Sequence, residues 1–245
     1  MINNNYFSFS HFSSVSNNQK RVFSLLDILI AFVPILSLGT LGTILGTGSF
    51  LGGLIVTLGY VLSIILAGAL LKSRGLNWKN VGLARPKNWG VTILLSIFTV
   101  ILAIIVMLAV QWIAIILTDG QIAPINQDRY NPLLGNPAIL LIYIVLAWTF
   151  IAFGEEMFYR AFLINRLIAI FHNTKMGAVM ALIVSSIIFG FVHLVEGPLG
   201  VINTAAMGFV LGSVYLCSRR NLWVTIIAHG LANTIRFTIM YFGVI

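Results

Sequence analysis

Apolar residues recur along this chain in long unbroken runs separated by short polar connections, and the runs are too long for strands. A helix needs about 20 mainly apolar residues to cross a bilayer. On that basis the sequence predicts spans near 22–45, 50–71, 90–117, 138–155, 176–194, 199–217 and 222–244. From Phe158 to Phe171 an amphipathic continuation carries Phe162, Leu163, Leu167, Ile168 and Phe171 at helical spacing around Asn165 and Arg166. It is expected to lie along the membrane interface, or else to count as an eighth span. Residues 1–21 lack such periodicity and are rich in Asn and Ser, so they read as a disordered N-terminal tail. Lys20 and Arg21 then precede a run too long for the core of a cleaved signal peptide, and the first span is expected to stay. The expected fold class is all-α, a polytopic transmembrane bundle of seven or eight spans forming one membrane domain over residues 22–245.

Composition agrees. Of 245 residues 59% are hydrophobic and 8% charged, with a mean hydropathy of +1.02. A soluble domain carries about 25% charged residues, so this chain lacks the charge to cover itself in water. The net charge of +8 does not point to nucleic acid, because the cations sit in short clusters between apolar runs. Of the 14 Lys and Arg, all but Arg129 and Arg236 fall on alternate connections. By the positive-inside rule this places the N-terminus in the cytoplasm, and the short connections favour a prokaryotic cytoplasmic membrane. Cys217 is the single cysteine, which excludes an intramolecular disulfide and any CxxC metal site.

An ionisable group inside a span is expensive to insert and is a functional candidate for that reason. In WTFIAFGEEMFYR, Glu155 and Glu156 stand side by side, and two carboxylates in a low dielectric need a cation for at least one of them. Arg160 lies four residues after Glu156, on the same helix face, which leaves Glu155 directed elsewhere and free for chemistry. A charge cluster that only caps the helix would look the same. His193 follows in IIFGFVHL, and His229 with Asn233 in IIAHGLANT share one helix face at i and i+4. Singly, such a histidine is more often packed against a carbonyl and such an Asn is a fastener between helices. Together they make up most of the strongly polar inventory of the C-terminal spans.

Glu155-Glu156-x-x-x-Arg160, Phe189-x-x-x-His193 and His229-x-x-x-Asn233, in that order, resemble the CPBP family (CAAX proteases and bacteriocin-processing enzymes, also called Abi). The resemblance covers about 138–242, and Ala161 stands where that family favours Gly. It implies an intramembrane endopeptidase, of metallo- or glutamate type, acting on membrane-associated peptides or proteins. Glu155, helped by His193, would activate water; His229 and Asn233 would stabilise the oxyanion; Glu156 and Arg160 would support them. Glu155, His193 and His229 also form a possible zinc set, since two histidines and a carboxylate with an open water position suit Zn. Against zinc stands the loss of the best base to the metal, so the cofactor expectation is none or Zn. The partners expected are the peptide substrate and the lipid bilayer, without nucleic acid. The rival reading is a membrane binding or immunity protein that keeps the motifs as a polar network.

Depth counting raises a difficulty. At 1.5 Å per residue, His193 lies about 26 Å from Met176, near the outer face, while Glu155 and His229 fall in the inner half. The site closes only if the fifth helix starts below the bilayer or tilts, or if residues 194–200 dip into a cavity. Elsewhere, Gly208-x-x-x-Gly212 and Gly42, Gly46, Gly48 and Gly52 read as close-packing faces. Asp27 is expected to hydrate at the interface, Arg236 to snorkel or pair with a carboxylate, and 72–89 to rest on anionic lipid.

Overall fold

The computed structural model describes residues 16–46 and 50–244, and these contain helices and turns without a strand. Seven helices are named here in chain order: α1 (Asn17–Ile44), α2 (Phe50–Ser73), α3 (Trp89–Leu117), α4 (Pro137–Ile170), α5 (Lys175–Phe191), α6 (Gly197–Cys217) and α7 (Leu222–Tyr241). Six of them, all but α5, are long and apolar enough to cross a membrane, whereas α5 has 17 residues. The count of seven or eight spans is therefore reduced to six such helices plus one shorter apolar helix among the described residues. The chain is an integral membrane protein by this pattern.

Local signals set the helix starts. Ser16 and Gln19 form a reciprocal capping box, so α1 begins at Asn17 and residues 17–21 are helical; residues 1–15 of the expected tail lie outside the described residues. Asn88, Asn136 and Thr174 accept the backbone N–H three residues on and open α3, α4 and α5. The turns after α3, α4 and α6 use left-handed backbone at Asp119, at His172 and Asn173, and at Arg219 and Arg220.

Packing follows the logic of lipid as solvent: small and hydroxyl residues face protein and large apolar ones face outward. On α3, Thr92, Ser96, Thr99 and Ala103 are buried while Leu94, Phe98, Ile101, Leu108 and Trp112 are exposed. Ser96 returns its hydroxyl proton to the Thr92 carbonyl, so no donor is wasted in the apolar layer. Gly42 lets α2 approach until a Cβ there would lie 2.7 Å from the Gly52 carbonyl. Gly208 and Gly212 receive Phe189 and Leu182 of α5, as their spacing predicts. Gly48 lies outside the described residues.

The largest correction concerns Phe158 to Phe171. This segment is not interfacial: α4 runs on as one helix to Ile170, and its second half is the core of the bundle, with Phe158, Tyr159, Phe162 and Leu163 fully buried. Two stretches of α4, Ala147–Ala152 and Glu156–Ile164, are wound as π-helix, the wider turn that recurs at functional sites. Because α4 continues so far, α5 starts deep, and Glu155 and His193 lie at nearly equal distances from the 170–175 turn. An antiparallel pair then levels them to within about one helical turn.

Charges divide between the two ends. At one end Asp27, only 1% exposed, is bonded by Arg74 at 2.8 Å and approached by Arg166 at 3.4 Å. It is thus a buried clamp joining α1, α2 and α4, and not the hydrated interfacial group expected. Arg21 donates to the Ile170 carbonyl and meets His172 at the same end. The 72–89 connection docks there too: the Val81 carbonyl accepts from Tyr215, whose hydroxyl also accepts from Asn165. Gly82, at φ +112°, passes so close to the Arg220 carbonyl that a Cβ would be 2.3 Å from it. The basic connections named by the sequence thus gather at one end, and Arg129, Glu196 and Arg236 at the other.

Candidate functional site

Glu155 and Glu156 sit where α4 changes from α to π winding, and both are buried, at 7% and 0% exposure. Glu156 is held as its spacing predicts: Arg160 Nε lies 3.2 Å from Glu156 Oε2, with both side chains out of solvent. The guanidinium also stacks over the Phe189 ring at 4.5 Å, which offsets part of its lost hydration.

The other oxygen of Glu156 is occupied by His229. Nδ1 of His229 is 2.9 Å from Glu156 Oε1, and its Nε2 is 3.9 Å from Glu155 Oε2. A carboxylate only accepts, so the proton of the bond to Glu156 is on Nδ1. The ring then turns Nε2 toward Glu155. From there it donates only when both nitrogens carry protons. One turn on, the Asn233 amide nitrogen is buried without a hydrogen-bond partner, an exposed obligation that a substrate oxygen would satisfy.

His193 lies just beyond α5. Its Nδ1 is 2.9 Å from the Phe189 carbonyl, which can only accept, so Nδ1 carries the proton and Nε2 keeps a lone pair. Phe189 is the link between the parts. Its ring meets His193 edge to face at 5.2 Å, His229 at 6.3 Å and Tyr159 at 4.8 Å between centroids. The sequence marked Phe189 only as a motif position; its side chain proves to be the partition between the two histidines and Arg160.

Glu156 thus contacts both Arg160 and His229, His229 lies 3.9 Å from Glu155, Asn233 follows His229 on the same face of α7, and His193 joins through Phe189. Zinc fits less well. Among the described residues no group of three His, Cys, Asp or Glu side chains is gathered to hold a metal. Glu155 and His229 are neighbours, but His193 does not complete a set with them.

Several contributors carry no sequence signal of their own. Trp148 lies against Gly230, where a Cβ would be 2.7 Å from the indole, and donates to Thr234. Close approach of α4 to α7 beside His229 therefore depends on that glycine. At the end of the site away from the basic connections Arg129 and Arg236 both reach Glu196, one turn after His193. Pairing of Arg236 with a carboxylate was one of its two expected fates; the carboxylate could not be named, because it comes from a different span. The open groove between α1 and α5, lined by Arg21, Leu25, His172 and Met176, lies at the opposite end and includes none of these residues.

No curated protein and no solved structure matches the chain. A family model does match. The resemblance to the CPBP family carried by the three motifs is thereby shown: residues 137–235 match the family described as Type II CAAX prenyl endopeptidase Rce1-like.

Proposed function

We propose that this chain is an intramembrane endopeptidase that hydrolyses a peptide bond in a membrane-associated substrate, with Glu155 as the general base. The observation that carries the reading is the division between the two adjacent carboxylates. Glu156 is occupied on both oxygens, by Arg160 and by His229, whereas Glu155 faces His229 Nε2 across 3.9 Å. Glu155 takes a proton from water as the water oxygen attacks the carbonyl, and the lone pair of His193 Nε2 accepts the other water hydrogen and aims the nucleophile. Charge then develops on the former carbonyl oxygen. Asn233 Nδ2 donates to it without any change of protonation, and His229 Nε2 donates when doubly protonated. Collapse of the intermediate passes the proton from Glu155 to the leaving amine.

The Rce1-like match supports protease activity, and with it a lipid-anchored C-terminal peptide as the substrate class. No step of this scheme runs through a metal. The test is hydrolysis of a farnesylated, internally quenched peptide by the purified protein in lipid nanodiscs, before and after chelation. Cleavage that survives chelation and is lost in Glu155→Gln supports the general-base reading. Cleavage lost on chelation and restored by Zn moves Glu155 to a ligand role, and absence of cleavage favours the binding-protein reading.

A further inference from the structure

The six carboxylates of this chain are unevenly placed. Asp27 alone lies at the end where the basic connections gather, and Arg74 and Arg166 already share it. Among the described residues no carboxylate pairs with Lys20, Arg21 or Lys175. That end therefore carries cations without counter-charge. Arg21 is fixed there by neutral acceptors: its Nε donates to the Ile170 carbonyl at 3.0 Å, and its Nη2 meets His172 Nε2. A guanidinium only donates, so His172 accepts on Nε2 and carries its proton on Nδ1. The other N–H groups of Arg21 and the His172 Nδ1–H have no acceptor among the described residues. Together they are a cationic donor set with capacity for an anion.

These donors stand at the head of an open groove of about 640 Å³ between α1 and α5, within the range of small-ligand sites. The turn from Ile170 to Thr174 is its floor, and His172 holds the left-handed backbone of that turn. Its walls are apolar. Val22 and Leu25 of α1 and Met176 and Met180 of α5 line it, and all four are exposed. Beyond the groove Leu29 on α1 and Ile183 and Ile187 on α5 are exposed as well, so the apolar walls continue along both helices. From Met176 to Ile187 the α5 wall runs about 16 Å. Unbranched methionine side chains adapt their shape to a flexible occupant.

We infer that this groove binds one anionic phospholipid, with the phosphate on Arg21 and His172 and an acyl chain between α1 and α5. Charge at one end and apolar walls leading away from it match both parts of such a lipid, and basic pockets between membrane helices hold anionic headgroups in this way. A soluble anion would use the donors and leave the walls uncovered. A zwitterionic lipid would bring a further cation to an end that already has too many. The bound lipid ties the start of α1 to the start of α5, and the inference is independent of the peptidase reading, since the groove includes none of the residues assigned to it.

The experiment titrates the purified, delipidated full chain in detergent with phosphatidylglycerol or phosphatidylcholine of the same acyl chains and reads the first bound lipid by native mass spectrometry. The expected result is a preference for phosphatidylglycerol of about fivefold or more. Arg21→Gln and His172→Gly each bring the ratio toward one, whereas Lys79→Gln, which removes an exposed cation of the same end outside the groove, leaves it unchanged. Met180→Trp narrows the groove without altering charge and should weaken binding of phosphatidylglycerol. If Arg21→Gln does not fold, His172→Gly decides, because His172 is exposed and glycine accepts its left-handed backbone. Equal affinity for the two lipids overturns the inference. So does an equal loss in Lys79→Gln and the groove variants, which would mean diffuse attraction to the whole basic end. Displacement of the lipid by millimolar inorganic phosphate overturns it too, in favour of a soluble anion.

Discussion

His229 Nδ1 lies 2.9 Å from Glu156 Oε1, so the carboxylate that neutralises Arg160 also orients the histidine that faces Glu155. The two glutamates, adjacent in the chain, differ in surroundings: Glu156 pairs with Arg160 and His229, whereas Glu155 lies 3.9 Å from His229 Nε2 and is the base in the reaction proposed above.

Removing the holding carboxylate should damage the fold. Glu156→Gln leaves Arg160, 1% exposed, as an uncompensated buried charge, a change that destabilises by about 3–5 kcal/mol. Thermal unfolding in detergent should show a large loss for Glu156→Gln and for Arg160→Ala. The pair Glu156→Gln with Arg160→Met should recover part of it, since neither charge then remains. Additive losses in the double variant would remove the pair from the account.

Glu155→Gln keeps volume and breaks no ion pair with Arg160, so its melting behaviour should stay near that of the unaltered protein while cleavage falls by about 10²–10⁴. An unstable Glu155→Gln protein would reverse the roles given to the two carboxylates.

Asn233 offers a cleaner kinetic test, because its amide nitrogen has no protein partner to lose. Asn233→Ala should lower kcat by about 10²–10³ with little change in KM or stability, the signature of a donor used only in the transition state. A loss confined to KM would mean that Asn233 binds substrate without stabilising charge.

Phe189 is 1% exposed and touches Arg160, His193, His229 and Tyr159. Phe189→Ala should cost about 3–5 kcal/mol in stability through the cavity it opens, and should reduce cleavage because both histidines lose a wall. Normal thermal stability in that variant would show that the partition is dispensable.

Orientation remains a proposal from charge, and the gathering of the basic connections at one end of the bundle supports it. With the exposed Cys217 first replaced by Ser, Trp78→Cys should resist an impermeant thiol reagent in intact cells and Tyr130→Cys should react. The opposite pattern would invert the topology.

What the sequence could determine was whatever depends on local spacing. The Glu156 to Arg160 pair, the shared face of His229 and Asn233, the small-residue face at Gly208 and Gly212 and the membrane class all follow from helical periodicity and composition, which any helix must obey. Tertiary structure decided what depends on residues far apart in the chain. Phe158 to Phe171 looks interfacial because Asn165 and Arg166 interrupt its apolar face, but Tyr215 and Asp27, from other helices, partner those polar groups and let the segment be core. The same holds for Arg236, whose carboxylate comes from the turn after α5, and for the depth of His193, which depends on how far α4 continues. Buried polar groups must be satisfied, but their partners lie on helices whose neighbours no local pattern names.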